Sequence, residues 1–434
     1  MQLKENAHIW RRIMNIEQLF EAIEKEKDIL FSYLSELIRI DSQNFGPHGN
    51  EKPMADYLVK ALSDLGITAE SYSPLDVPGL TENIDYYPGR HLEERRNVSA
   101  VIPGTRHDRK LMAAAHSDTV PIGNRENWSF DPLCGTVRDG KILGRGACDD
   151  KYALAAILFL MKLFQEHGIR LPYDLIINAY CDEEFGGGNG ALAASLKHKP
   201  DDILNMDGKG LEMWCAGAGG GEIEGMVRSL ETLDSCGKLI DGIAVVKEEL
   251  LRFKEERRKG FLSRKLFKDT IIPDTALRFL ESNIGGDLSL NAAKIRVVFY
   301  TCENEEETVR ELEELKKRIN EKLLPMGMEF GGFALTTRFF RFSEGEEANP
   351  AMDLMAECIR RVTGEERRGT GSCLSDLPLM INHGSRRAFC FGAGRDFDAV
   401  GGAHQPDEFI ECDVLVNFTK IVAAFLLEYG KGIK

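Results

Sequence analysis

Three short runs in the first half of the chain each end on side chains able to hold a metal ion. Residues 111–115 lead into His116, residues 174–180 into Cys181-Asp182-Glu183-Glu184, and residues 203–206 into Asp207. Apolar runs of that length suit strands buried on both faces. The stretches between them carry apolar residues at helical spacing, as at 150–164 and 189–196. Strands that alternate with helices predict an α/β fold with a mostly parallel sheet flanked by helices. Small molecules bind such sheets beyond the carboxyl ends of the strands, where all three groups fall.

The remaining pattern divides the chain. Helices are predicted over 16–41 and 53–65, the second closed by Gly66. The composition shifts at Gly217-Ala-Gly-Gly-Gly221. Beyond it come a strand at 222–228, a charged helix at 238–258, a strand at 294–301, a helix at 304–324 and a strand at 328–337. This β-α-β-α-β run predicts a two-layer α+β domain of its own. Strand 222–228 is expected at its open edge. The α/β pattern then resumes with helices at 351–362, 375–382 and 412–429 and a strand at 388–391. The expected division is a catalytic domain from 1–219 and 339–434, with 220–338 inserted. The glycine run does not make a dinucleotide-binding fingerprint, because Glu222 stands where a glycine is required.

Composition narrows the partners. The chain has 434 residues, 29% of them charged, and a formal net charge of −15 without a long basic run. Nucleic acid and anionic membranes are therefore poor partners. No stretch reaches the ~18 apolar residues of a membrane span, and no signal-peptide core opens the chain. The ten cysteines show no C-x-x-C spacing. They read as free thiols in a reducing, cytoplasmic setting. Residues before Met14 read as a loose extension.

Five groups carry chemistry, and each also has an ordinary explanation. His116-Ser117-Asp118 sets two side chains on one side of an extended chain, as a surface turn also would. Gly144-Arg-Gly-Ala-Cys-Asp149-Asp150 brings two aspartates to a helix start, where one suffices as a cap. Glu183 and Glu184 crowd acid against acid, which is costly away from water unless cations balance it. Asp207 precedes a glycine, as in many turns. His404 lies in a glycine-flanked loop. Together, two imidazoles and several carboxylates suit catalytic zinc, cobalt or manganese.

The set resembles the co-catalytic zinc peptidases that include aminoacylase, acetylornithine deacetylase, succinyl-diaminopimelate desuccinylase and glutamate carboxypeptidase. The resemblance rests on His116-Ser-Asp118-Thr-Val-Pro121, Trp128-Ser-Phe-Asp-Pro132, Gly144-Arg-Gly-Ala-Cys-Asp149-Asp-Lys151, Asp182-Glu183-Glu184-x-Gly-Gly, Asp207 and Ala403-His404-x-x-Asp-Glu408. It implies two divalent metal ions, most simply zinc, held by His116, Asp149, Glu184, Asp207 and His404, with Asp149 bridging. It implies Glu183 as general base, Asp118 as the residue that orients His116, and a cis Asp149–Asp150 peptide. The inserted domain would be a lid and a homodimer contact. The implied function is hydrolysis of an amide or peptide bond in a small substrate by a metal-activated water, as in an N-acyl amino acid deacylase or dipeptidase. The alternative is a metal-containing binding protein without turnover. The chain departs from the pattern in three places. It has no histidine between His198 and His383, no arginine within 297–302, and Tyr152 where a glycine is common.

Overall fold

The computed structural model describes residues 14–230, 235–285 and 291–431; the N-terminal extension read before Met14 lies outside them. The chain begins with α1 (Ile16–Arg39), capped by a reciprocal Asn15–Gln18 box, and α2 (Lys52–Asp64). Next come β1 (Ala69–Tyr72), β2 (Asn97–Ile102), β3 (Lys110–His116), β4 (Thr136–Arg138), β5 (Lys141–Leu143), α3 (Lys151–Glu166), β6 (Asp174–Tyr180), α4 (Asn189–His198), β7 (Asp202–Asn205) and β8 (Glu212–Gly217). A middle segment holds β9 (Gly219–Ser229), α5 (Ser235–Leu262), β10 (Leu277–Ile284), β11 (Ala292–Thr301), α6 (Glu305–Leu323) and β12 (Met328–Leu335). The chain closes with β13 (Ser343–Glu344), α7 (Pro350–Thr363), β14 (Gly369–Ser372), α8 (Leu377–Leu379), β15 (Ala388–Gly392), β16 (Phe409–Glu411) and α9 (Cys412–Glu428).

The main sheet runs in the order β1-β2-β6-β3-β7-β15-β8-β13, with β14 paired beside β8. Its centre, β6-β3-β7-β15, is parallel, whereas β1, β2 and β13 attach antiparallel at the flanks. The central strands are buried on both faces, so each splits its residues by alternation. Leu111, Ala113 and Ala115 of β3 join the core beneath α1, α3, α7 and α9; Met112 and Ala114 join the core beneath α4. Phe389 and Phe391 of β15 divide from Ala388 and Cys390 in the same way.

The middle segment has its own sheet, ordered β10-β11-β9-β12, and its own core. Ile223, Val227, Val297 and Phe299 meet Val246, Phe253, Leu315 and Ile319 from α5 and α6 on one face. On the other, Glu222, Glu281, Lys294 and Arg296 form ion pairs. Strand β9 is interior, between β11 and β12, and not the open edge expected from its sequence. The edges are β10 and β12; β10 escapes sequence reading because its exposed residues break the alternation. The chain enters and leaves this segment side by side, since Gly220 and Phe340 exchange backbone hydrogen bonds of 2.9 and 2.8 Å. A side chain on Gly220 would lie 2.2 Å from the Phe299 carbonyl oxygen, at a φ of +122°. That close approach explains the glycine run.

The helix expected at 375–382 is present from Leu377: α8 continues without a break into a wider helical coil over Met380–Gly384. The cysteines are unpaired. Among the described residues no helix is long and apolar enough to cross a membrane.

Candidate metal centre

Because β6, β3 and β7 are adjacent and parallel, their carboxyl ends share one rim of the sheet. His116 is the last residue of β3, Glu183 and Glu184 follow β6, and Asp207 follows β7. Asp149 arrives on the turn before α3, across a cis Asp149–Asp150 peptide, and His404 on the loop before β16. His116 Nε2 lies 2.9 Å from Asp149 Oδ1. His404 Nε2 lies 3.2 Å from Asp149 Oδ2 and 3.0 Å from Glu184 Oε2. Ligand atoms of His116, Asp149 and Glu184 all fall within 4.8 Å of one another.

A buried polar frame holds these side chains. His116 Nδ1 sits 3.0 Å from the Asp118 carbonyl oxygen and 3.7 Å from its carboxylate. The Asp118 carboxylate accepts from the backbone N–H of Glu183 and of Glu184, each at 3.0 Å, and from Asn44 Nδ2 at 2.8 Å. Asp182 precedes that turn at a φ of +63° and pairs with Arg95 at 2.8 Å and Arg90 at 3.4 Å. Arg95 also grips Glu51, and Arg90 donates to the carbonyls of Glu184 and Phe185. On the opposite side Glu408 accepts from Arg145 at 2.5 Å and from the Cys148 N–H at 2.9 Å, which fixes the turn before Asp149. Buried groups of this kind stay ionised only when every charge has partners.

The electrostatics show an excess of acid. Burial would raise Asp118, but the His116 hydrogen bond and charge and the Arg95 charge bring it down to about 2. Burial pushes Asp207 up to about 7, with Asp149 and Glu184 adding repulsion against the pull of His116. Glu183 is raised well above the usual carboxylate range by burial, and Asp376, Glu184 and Asp207 add to it. Asp376 is itself pushed up to about 6 by burial despite its 2.8 Å pair with Arg338. Crowded acids that resist ionisation beside two imidazoles are what divalent cations relieve, so the donor set fits a metal site.

Residues 112–428 match the model of peptidase family M20/M25/M40. The chain belongs to that family. It is 25% identical over 452 aligned residues to N-formyl-4-amino-5-aminomethyl-2-methylpyrimidine deformylase of Halalkalibacterium halodurans, covering 95% of this chain and 97% of that one. It is 34% identical over 121 residues to succinyl-diaminopimelate desuccinylase of Delftia acidovorans, which is 28% of this chain and 30% of the relative. The structure of the dipeptidase Dug1p from Saccharomyces cerevisiae aligns with a TM-score of 0.76 at 14% identity, over 98% of this chain and all (100%) of that one. That likeness is one of fold. The M20 relatives are hydrolytic enzymes that use divalent metal, and this chain is an amidohydrolase or peptidase of the same kind.

Of the candidate ligands read from the sequence, His116, Asp149, Glu184 and His404 meet directly. Asp207 and Glu183 lie within reach of their charges. Glu184 is fixed at both oxygens, one toward His404 and one accepting from the Val120 N–H at 3.1 Å. The Glu183 carboxylate accepts no hydrogen bond among the described residues. Asp118 meets His116 chiefly through its backbone, and its carboxylate organises the glutamate turn. Sequence reading missed Asn44, Glu51, Arg90, Arg95, Arg338 and Asp376. They come from loops whose spacing carries no signal. Glu408 and the Arg145 turn were visible as motif, and only the fold shows their contact. Tyr152, the departure from glycine, is put to use: its hydroxyl donates to the carbonyl of Met206 at 2.8 Å and accepts from the Ala393 N–H at 2.9 Å. It thereby ties the ends of β7 and β15 together.

Proposed function

We propose that the chain hydrolyses an amide bond in a small N-acyl amine, N-acyl amino acid or dipeptide, using two divalent ions, most simply zinc, at His116, Asp149, Glu184, Asp207 and His404. The observation that carries this reading is Asp149, whose two oxygens face different imidazoles at 2.9 and 3.2 Å, as a carboxylate between two cations must. The full-length likeness to a deformylase and the likeness to dipeptidases support amide cleavage. Bound ions would supply a Lewis acid for the carbonyl oxygen and lower the pKa of water. The protein's share is positional. Asp118 and its carbonyl hold the His116 ring, and the Asp118–Asn44 contact holds the turn that carries both glutamates. Glu183, free of other hydrogen bonds, takes the proton from the attacking water and gives it to the departing amine.

The catalytic domain of this reading comprises 1–219 and 339–434, and 220–338 is an inserted lid through which two copies pair. The ten unpaired cysteines support a cytoplasmic setting. The test is a pair of variants. Glu183→Gln is expected to keep its metal while turnover falls ~10²- to 10⁴-fold, the usual contribution of a positioned acid–base group. Glu184→Gln is expected to lose metal and turnover together. If Glu183→Gln lost metal while Glu184→Gln kept both, the two roles would be reversed. Metal retained by the wild type with no turnover on any amide would favour a binding protein.

A further inference from the structure

Beside the metal centre a cavity of about 530 Å³ opens between the main sheet and the middle segment. That volume suits a small-molecule site. Its apolar wall is Met213 and Trp214 from β8, Ile271 and Ile272 from the link after α5, Tyr300 from β11, and Phe397. The cavity adjoins the centre in two ways. The Phe397 ring meets the His404 ring edge-on, with centroids 4.9 Å apart. Lys209, in the same wall, follows Asp207 by two residues.

The charges in the wall constrain what fits. Lys209 is paired with Asp396, Arg278 with Asp398 at 2.6 Å, Arg368 with Asp269 at 2.9 Å, and Arg367 with Glu365 at 2.6 Å. Every cation in the lining is thus already held by a carboxylate. The Glu212 carboxylate has no cationic partner among the described residues and accepts only from Trp214 Nε1, at 3.1 Å. Tyr300 is 8% exposed, yet its hydroxyl has no hydrogen-bond partner among the described residues. Tyr300 lines the cavity, so a hydroxyl there without a protein partner is a polar group left for a ligand.

We propose that this cavity seats the larger group beside the scissile amide, and that this group is a flat aromatic or heteroaromatic ring, neutral or cationic, and not a carboxylate-bearing side chain. Trp214, Tyr300 and Phe397 supply aromatic faces and edges for the ring. Glu212 and the Tyr300 hydroxyl are placed for hydrogen-bonding groups on it. An anionic tail would meet only neutralised cations and the unpaired Glu212, an arrangement that disfavours it. The proposal rests on the reading of the neighbouring centre as an amide hydrolase, so binding and turnover are measured separately.

The binding probes are benzylurea and N-carbamoyl-L-glutamate, a matched pair of ureas with opposite demands, titrated calorimetrically into zinc-loaded protein. Benzylurea is expected to bind at least about tenfold more tightly. Trp214→Ala is expected to weaken benzylurea about tenfold and Trp214→Phe to recover most of that loss, the scale of an aromatic contact. Tyr300→Phe removes one oxygen, leaves the fold intact by thermal unfolding, and is expected to weaken a hydroxymethyl- or amino-substituted benzylurea about threefold to tenfold relative to benzylurea. Tighter binding of N-carbamoyl-L-glutamate, or unchanged benzylurea affinity in folded Trp214→Ala, overturns the proposal. Turnover of N-formylbenzylamine by the same protein tests the hydrolase reading. Preferential benzylurea binding without turnover of any amide would leave the cavity assignment standing and remove that reading.

Discussion

Histidines on this chain serve two ends. His116 and His404 are surrounded by carboxylates that hold their pKa values well above the ordinary imidazole value against the opposing effect of burial. His198 is the reverse. Burial, aided by Lys197 and Lys110 against Glu70, lowers it to about 4, and its Nε2 lies 2.8 Å from Ser99 Oγ. Its folded pKa lies below the unfolded value of about 6.5, so the unfolded chain takes up the proton first as pH falls. The contribution is complete above pH ~6.5 and is lost progressively toward pH ~4, up to roughly 2–3 kcal/mol. His198→Gln should therefore flatten the stability profile between pH 7 and 4.5, read by denaturant unfolding at several pH values. Parallel profiles for wild type and variant would contradict the assignment. In the sequence His404 stands out by its glycine-flanked loop and the acids at 407 and 408, whereas His198, between Lys197 and Lys199, carries no such signal. Four of the five ligand-type residues were legible because they end or follow strands, or start a helix, in a fixed order, and His404 because of its glycine-flanked loop. Arg95 and Glu51 were not, because a buried ion pair between two distant loops leaves no local pattern.

At the scale of elements, the turn between β6 and α4 is the most constrained part of the site. Gly190 lies in the first turn of α4, and a side chain there would come 2.0 Å from the Cys181 carbonyl oxygen and 2.9 Å from Asn97 Oδ1. Neither neighbour is free to move, because Asn97 Oδ1 accepts from the Cys181 N–H at 3.0 Å and Asn97 Nδ2 donates to the Gly190 carbonyl at 2.8 Å. Gly190→Ala is thus expected to cost about 1–3 kcal/mol by overpacking, and more if the turn cannot shift. Because that turn carries both glutamates, metal affinity should fall with stability. Unchanged thermal unfolding together with unchanged metal affinity would show that the turn is looser than its geometry indicates. Elements with steady periodicity, such as α1, α6 and β3, were readable from the sequence. Strand β8 was not, for its residues carry a glutamate and a tryptophan in a mixed pattern next to a glycine run. The helix expected at 375–382 begins at Leu377, with Pro378 in the first turn where it is tolerated, and widens from Met380 to its end at Gly384.

At the scale of the whole molecule, the chain passes between the main sheet and the middle segment where Gly220 and Phe340 pair, and Tyr300, against Gly220, lines the cavity described above. The middle segment leaves β10 and β12 as edges, and exposed Phe279 and Leu280 lie on β10. Open edges of that kind favour pairing with a second chain, so a dimer through this segment is expected. Light scattering at micromolar concentration should give about twice the mass of the chain, and Leu280→Lys should lower it; a monomer in the wild type would contradict the dimer.

The central claim, that the centre holds divalent metal and cleaves amides with it, is tested most directly by removing the metal. The protein would be dialysed against a chelator, its metal content measured, and turnover assayed on N-formyl amines, N-acyl amino acids and dipeptides before and after zinc, cobalt or manganese is restored. The account predicts that metal and hydrolysis are lost together and return together. Hydrolysis that survives complete removal of metal, or fully loaded protein that cleaves none of these amides, would contradict it.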